Sequence, residues 1–204
     1  MTARESEIIS LIRKEVKPAL GCTEPIAVAL AVAKAMEIIE ERCSPASAAW
    51  RMEAGYKIRI EVSGNILKNG MGVGIPGTGM VGLHIAAALG AVCGKSEYGL
   101  EVLHDLDDEA VARAKELVED NAVAISIADT DHKLYIKAYV ETSGEHCASA
   151  IIEDDHDNIA ETCFDETVLS SSHKSEDSNE NDQKTTADYH LTVKEIFDFA
   201  SNVA

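Results

Sequence analysis

A cysteine at a predicted helix start is the first candidate for chemistry. The segment Gly21-Cys22-Thr23-Glu24-Pro25 precedes a long run rich in alanine, valine and isoleucine. Thr23 can cap the helix and Pro25 suits its first turn, which puts Cys22 at the positive end of the helix dipole. A thiolate is stabilised there and could be a nucleophile or a metal ligand. Glu24 could be a general acid or base. Alternatively, Cys22 is a buried structural thiol before an ordinary cap.

A second group of polar residues lies in and beside a glycine-rich stretch. Seven glycines fall between Gly64 and Gly82, too many for a regular element. Free backbone amides and nearby polar side chains could bind a carboxylate or phosphate there; the side chains are those of Ser63, Asn65, Lys68, Asn69 and Thr78. The stretch fits neither the P-loop nor the dinucleotide-binding pattern. Alternatively, it is a hairpin that turns at Asn69-Gly70, with residues 77–79 forming a loop into a helix.

Hydrophobic periodicity predicts the elements that position these residues. Apolar spacing predicts helices over residues 6–16, 25–41, 81–92 and 107–119, of which the second is buried on nearly all sides. Alternation of apolar and polar residues predicts strands over residues 55–63, 123–127, 134–142 and 148–153. We expect the last three to form an antiparallel meander. The predicted fold class is α+β, with a helical amino-terminal segment followed by a mixed or antiparallel sheet covered by helices.

The predicted organisation has four parts. Residues 1–54 form the helical segment, and residues 55–168 form the α+β domain with its glycine-rich loops. Residues 169–189 are acidic and nearly devoid of apolar side chains, which predicts a disordered linker. Residues 190–204 form a terminal helix, in which Thr192 and Glu195 have the spacing of a capping box. We expect this helix to lead into a further carboxy-terminal domain, so that the chain is the amino-terminal half of a longer protein.

Composition narrows the classes of partner. The 36 acidic residues outnumber the 18 basic ones, giving a net charge of −18, which repels nucleic acid and anionic membranes. We find no secretory signal and no apolar run long enough to span a bilayer, which predicts a cytoplasmic protein.

Three aspartates surround His156, at positions 154, 155 and 157. They could form a metal site, or a solvated acidic turn between strands.

Three motifs carry a resemblance to a known family. They are Lys-Pro-Ala-Leu-Gly-Cys-Thr-Glu-Pro at residues 17–25, Ser-x-Asn-x-x-Lys-Asn-Gly at 63–70, and Pro-Gly-Thr-Gly-Met-Val-Gly at 76–82. Their order and spacing resemble those of the bacterial and archaeal L-cysteine desulfidases, which are related to the serine dehydratase alpha subunit. The similarity extends over nearly the whole chain, but family members are roughly twice as long.

The resemblance implies a reaction and a cofactor. Cys22 would be one thiolate ligand of a [4Fe–4S] cluster that keeps one iron open for substrate, and the other cluster cysteines would lie in the missing half. The implied reaction is β-elimination from L-cysteine or L-serine to pyruvate and ammonia, with sulfide released from cysteine. The remaining cysteines match no family motif and are assigned to packing or loops; they are Cys43, Cys93, Cys147 and Cys163.

The chemistry of each side chain indicates its role at the site. Glu24 and Lys68 are the candidate catalytic residues. The candidate substrate-binding residues are Thr23, Ser63, Asn65, Lys68, Asn69 and Thr78. The expected partners are a small amino-acid substrate and the carboxy-terminal half of the same enzyme, and the protein could be a homo-oligomer. Two alternatives stay open: a non-catalytic module for binding a carboxylate or anion or for assembly, and a purely structural half that completes a fold.

Overall fold

A mixed six-stranded sheet is the central element of the protein. The computed structural model describes residues 2–43, 55–142, 146–172 and 191–202. The strands are β1 (Tyr56–Val62), β2 (Val123–Ile127), β3 (Tyr135–Thr142), β4 (Cys147–Glu153), β5 (Ile159–Phe164) and β6 (Thr167–Ser171). Their order across the sheet is β2-β1-β3-β4-β5-β6. The β1–β2 pair is parallel and the other pairs are antiparallel. The α+β fold class is confirmed.

Strand β2 does not begin the predicted meander. It pairs with β1 as a parallel edge strand, with Ile60 opposite Ile125, while β1 pairs on its other side with β3. The connection from β1 to β2 contains helix α5 (Asp108–Glu119), which starts at the predicted Asp107 cap. Parallel strands need such a long crossover, whereas a meander needs only tight turns. The antiparallel meander is instead formed by β3 to β6.

The last two strands were not predicted. Strand β5 alternates buried and half-buried residues only weakly, and β6 is mostly exposed. Strand β6 extends to Ser171, so residues 169–171 belong to the sheet and not to the predicted linker. Pairing with β5 explains this difference, because main-chain hydrogen bonds to a neighbouring strand hold a polar segment that has little apolar surface to bury. Residues 173–189 of that linker lie outside the described residues.

Helices cover one face of the sheet. Helix α2 (Thr23–Cys43) packs against β3 and β4, and helix α4 (Leu83–Cys93) packs against α2 and β2. The buried residues of β1, β3 and β4 that face them join one hydrophobic core with both helices. The sequence predicts that α2 belongs to a helical segment, residues 1–54, separate from the domain that contains the sheet. Because its alanine-rich surface is covered by the sheet and by α4, it belongs to the same unit as the sheet, residues 18–173.

Helices α2 and α4 approach each other unusually closely. A methyl group on Gly90 of α4 would lie 2.3 Å from the carbonyl oxygen of Ala29 in α2, and one on Gly94 would lie 2.7 Å from the Cβ atom of Ala33. Ala29, Ala33 and the residues of α4 on either side of Gly90 are fully buried. Only residues without large side chains permit this backbone-to-backbone contact.

A second unit comprises residues 1–17 and 174–204. Its described part contains helix α1 (Ala3–Glu15) and helix α6 (Val193–Asn202), joined by an ion pair of 3.1 Å between Arg4 and Glu195. The predicted capping box of α6 is confirmed, since the Glu195 amide donates to the Thr192 hydroxyl and the Thr192 amide donates to the Glu195 carboxylate. None of the described helices combines the length and apolarity needed to cross a bilayer.

We predict that Gly90→Ala destabilises the protein by about 2 kcal/mol or more, because the added methyl overlaps the backbone of α2. Urea unfolding measures this loss. Gly64→Ala is the matched control: it lies at the start of helix α3 (Gly64–Gly70) with no atom within 4 Å of the added methyl. Alanine favours a helix, so this control should be neutral or slightly stabilising. Equal effects of the two changes would contradict the close α2–α4 contact.

Candidate functional site

Cys22 lies at the amino terminus of α2, as predicted, but it occupies the cap position itself. The helix begins at Thr23, and the carbonyl oxygen of Cys22 accepts the amide hydrogen bond of Ile26 at 3.5 Å. Gly21 has a φ of 102°, which favours glycine and turns the chain into the helix one residue earlier than predicted. Thr23 is therefore a residue of the first turn and not the cap. The Cys22 side chain is exposed.

Glu24 is the immediate partner of the thiol. The Cys22 Sγ donates to Glu24 Oε2 at 2.9 Å. This hydrogen bond, together with partial burial, raises the pKa of Cys22 above its ordinary value, and the same hydrogen bond lowers the pKa of Glu24. The predicted stabilisation of the thiolate by the helix dipole is therefore not the dominant effect. A full negative charge next to the sulfur outweighs the dipole's partial positive charge of about half a unit.

The second part of the site is helix α3, in a stretch predicted to be irregular. Residues 64–70 form two helical turns, so Asn69-Gly70 is not a hairpin turn. The helix forms because residues 65–69 have side chains, with the glycines only at its ends. Asn69 Nδ2 donates to Glu24 Oε1 at 3.2 Å. Asn65 and Lys68 are also exposed, and their spacing puts them on the same side of the helix as Asn69.

Two predicted substrate-binding hydroxyls are instead structural. Ser63 is 3% exposed, and its hydroxyl donates to the carbonyl oxygen of Lys133 at 2.8 Å. Thr78 is also 3% exposed; its hydroxyl donates to the Ile75 carbonyl at 2.8 Å and accepts from the Met80 amide at 2.9 Å. Both hydroxyls are engaged in holding loops in place. They are not available to a ligand in this conformation.

The glycine-rich loop after α3 leads into α4, as predicted for residues 77–79, although the hairpin turn at Asn69-Gly70 in the same alternative is absent. Gly74 and Val81 form an antiparallel bridge across this loop. Gly82 caps α4 with a φ of 96°, and a methyl group there would lie 2.9 Å from the carbonyl oxygen of Met71. The loop is thus folded back on the end of α3. It positions α3 beside the amino terminus of α2.

The described residues contain no group of three or more histidine, cysteine, aspartate or glutamate side chains that could hold a metal ion. The acidic residues around His156 form the turn between β4 and β5, where Asp154 Oδ1 is hydrogen-bonded to His132 Nδ1 at 3.1 Å. His156 is near enough to Glu24 to contribute slightly to lowering the carboxyl pKa.

The other four cysteines are partly buried, and burial raises the pKa of three of them: Cys43, Cys147 and Cys163.

The site therefore brings together Cys22, Glu24 and Asn69, with Asn65 and Lys68 on the adjoining helix surface. The sequence identified each of these residues but not their contacts. Asn69 and Glu24 are 45 residues apart, and no local pattern connects them. The proximity of His156 to this cluster was missed for the same reason.

Comparison with known proteins gives close relatives. The chain is similar to the UPF0597 proteins. It is 46% identical over 202 residues to the one from Bacteroides fragilis, 44% over 199 residues to one from Bacteroides thetaiotaomicron, and 40% over 205 residues to one from Dichelobacter nodosus. These alignments cover 97–98% of the chain. No protein-family model and no solved structure matches the chain.

The chain spans less than half the length of these UPF0597 relatives, with 42–43% of each covered. Their name provides no link to cysteine desulfidase or serine dehydratase. The UPF0597 proteins are close homologues over nearly the whole chain, and the lyase assignment stays a proposal.

We predict that Glu24→Gln lowers the pKa of Cys22, because it removes the carboxylate that raises it. The alkylation of Cys22 by iodoacetamide at neutral pH should become several-fold faster, up to about tenfold for each unit of pKa. Peptide mass spectrometry across a pH series measures the rate at each thiol separately. Cys163, which contacts a different glutamate, is the internal control. An unchanged profile at Cys22 would show that Glu24 does not govern this thiol.

Proposed function

We propose that this chain is part of an iron–sulfur-dependent lyase that catalyses β-elimination from L-cysteine or L-serine. The observation that supports this most is the arrangement at the start of α2: an exposed thiol with a carboxylate at 2.9 Å, on a helix that is otherwise buried. A buried, rigid helix fixes the thiol, and exposure leaves it accessible to a metal centre.

The described residues fit one corner of a [4Fe–4S] cluster. Such clusters are held by cysteine thiolates, usually four, or three where one iron is left open. Cys22 is exposed and can provide one, but no group of three metal ligands occurs in the described ranges. The remaining ligands would come from the part of the longer relatives that this chain does not span. When bound, the cluster would supply a Lewis acid for the departing group.

Glu24 would move the thiol proton. A cysteine must lose its proton to bind a metal, and metal binding releases that proton. Glu24 Oε2 already accepts the Cys22 hydrogen bond, and the lowered pKa of Glu24 keeps it ionised, so it can relay the thiol proton to solvent without retaining it. Asn69 donates to the other carboxylate oxygen at 3.2 Å and fixes its orientation. The raised thiol pKa opposes loss of this proton, so the positive charge of the metal centre would have to drive its release, with Glu24 as the nearby relay.

The surface of α3 would bind the substrate. Lys68 and Asn65 are exposed next to Asn69 and could pair with the substrate carboxylate. Glu24 and Lys68 are the groups proposed to take up and return protons during elimination. Thr23 lies in the first turn of α2, with its hydroxyl 3.5 Å from Glu24, and it would contact the substrate from that side. Ser63 and Thr78 would contribute only by holding their loops.

A second candidate is a non-catalytic module that binds a small carboxylate. The raised pKa of Cys22 favours it, because a protonated thiol beside a carboxylate is a stable structural pair that needs no metal. In that case α3 would still bind an anion through Lys68 and Asn65.

We predict that Cys22→Ser abolishes both the cluster and the activity. The test uses a full-length protein in which this chain is continued to the length of its UPF0597 relatives. Anaerobic iron–sulfur reconstitution is followed by assays for pyruvate and sulfide from L-cysteine and L-serine. Loss of a direct ligand should reduce activity by more than about 100-fold, since loss of a ligand's supporting partner already costs 10–100-fold.

Cys93→Ser is the matched control, because Cys93 is partly buried at the end of α4 and donates to the Leu89 carbonyl. It should retain both cluster and activity. A wild-type protein that takes up no iron and releases no pyruvate would exclude the lyase, and binding of small carboxylates should then be measured.

A further inference from the structure

An apolar cavity of about 400 Å³ opens one residue before Cys22. Its walls come from three segments: Ala19 and Gly21 before α2, Pro76 in the glycine-rich loop, and Leu103 and Leu106 before α5. The described residues that line it have no charged side chain and no hydroxyl. Ligand pockets for small molecules have this size and this predominantly apolar character.

The walls of the cavity are braced by hydrogen bonds. The amide of Leu20 donates to the carbonyl of Leu100 at 3.2 Å, which fixes the segment before Cys22. The amide of Ile75 donates to Met80, and the buried Thr78 hydroxyl bonds to both residues. These bonds hold the loop that carries Pro76. The cavity is therefore part of the folded structure and does not need a ligand to form it.

Gly21 connects the wall of the cavity to the start of α2, which carries Cys22. A methyl group on Gly21 would lie 3.6 Å from the ring of Pro76, so the glycine backbone and the proline ring form adjoining walls. Cys22 follows Gly21 immediately, with Glu24 and Asn69 beyond it. The segment 21–24 thus contributes to the apolar cavity through Gly21 and to the polar cluster through Cys22 and Glu24.

We propose that the cavity receives an apolar group attached to the substrate sulfur, so that the substrates are S-alkyl cysteines. This inference rests on the lyase proposed above. A water-sized group needs only about 30 Å³, so the thiol of cysteine would leave most of the space empty. An alkyl group on the sulfur would occupy more of this space, and the exposed Lys68 on α3 is the group we propose for the substrate carboxylate. Apolar walls disfavour the hydroxyl of serine, which would lose its hydrogen bonds to water there.

The reaction balances without any additional reagent. The bond from Cα to hydrogen breaks, and the proton passes to a base of the site while the electron pair forms the double bond between Cα and Cβ. The bond from Cβ to sulfur breaks, and the departing thiolate takes up one proton to leave as an alkyl thiol. The aminoacrylate tautomerises to an imine, which one water molecule hydrolyses to pyruvate and ammonia.

The test compares substrates of increasing length with the reconstituted full-length protein. Pyruvate formation is measured from L-serine, L-cysteine and the S-methyl, S-ethyl and S-propyl derivatives of L-cysteine. We expect kcat/KM to rise about fourfold for each methylene that enters the cavity. Failure to turn over the S-alkyl derivatives while L-cysteine is consumed would overturn the inference and leave the lyase standing. No pyruvate from any substrate would instead mean that the lyase itself has failed.

Variants locate the effect in the cavity. Ala19→Leu adds a larger side chain to the wall, and we expect it to lower the ratio of kcat/KM for S-propyl-L-cysteine over L-cysteine at least tenfold. Ala112→Leu, the same change on the exposed side of α5, is the control and should leave this ratio unchanged. An equal ratio in both variants would overturn the proposal.

Binding gives a readout that does not depend on turnover. Calorimetric titration of the protein without its cluster with S-propyl-L-cysteine should show binding that is lost in Ala19→Leu and kept in Ala112→Leu. Absence of binding to the wild type would overturn the inference. The same result is expected if another part of the longer protein fills the cavity, and the inference is then overturned as well.

Discussion

The contact between the backbones of α2 and α4 is the constraint on which the rest of the structure depends. Gly90 lies against the carbonyl of Ala29, and the surrounding side chains are nearly all alanine or small aliphatic residues. Interiors are close-packed, so two helices at this distance cannot shift without opening voids or creating overlap. The close contact fixes the direction of α2 relative to the sheet. It therefore also fixes the point at which α2 begins, which is where Cys22 lies.

At that point local electrostatics decide the state of the thiol. The amino terminus of a helix favours an anion, but its partial charge of about half a unit acts against the full charge of Glu24, which accepts the thiol hydrogen bond. The proton therefore stays on the sulfur and the negative charge stays on the carboxylate, and a hydrogen bond joins the two groups. Asn69 strengthens this by donating to the same carboxylate. A cation at the sulfur would reverse the balance, because it favours the thiolate.

Local patterns predicted the long elements well, and the relations between distant elements poorly. The alternation of β1 and the apolar stripe and aspartate cap of α5 are local properties, and both elements lie where they were predicted. The parallel pairing of β2 depends on the crossover through α5, and β5 and β6 depend on pairing partners. Similarly, Cys22 and Asn69 were found from their residue types, whereas the burial of Ser63 and Thr78 follows from tertiary contacts to Lys133 and Ile75.

The apolar cavity illustrates why a site is harder to predict than its residues. None of its wall residues has a side chain that suggests chemistry, and they come from three separate segments of the sequence, residues 19–21, 75–77 and 103–106. What brings them together is the left-handed turn at Gly21 and the packing of Pro76 beside it. The same turn directs Cys22 into the cap of α2. One glycine conformation therefore contributes both to the position of the thiol and to the apolar wall that precedes it in the chain.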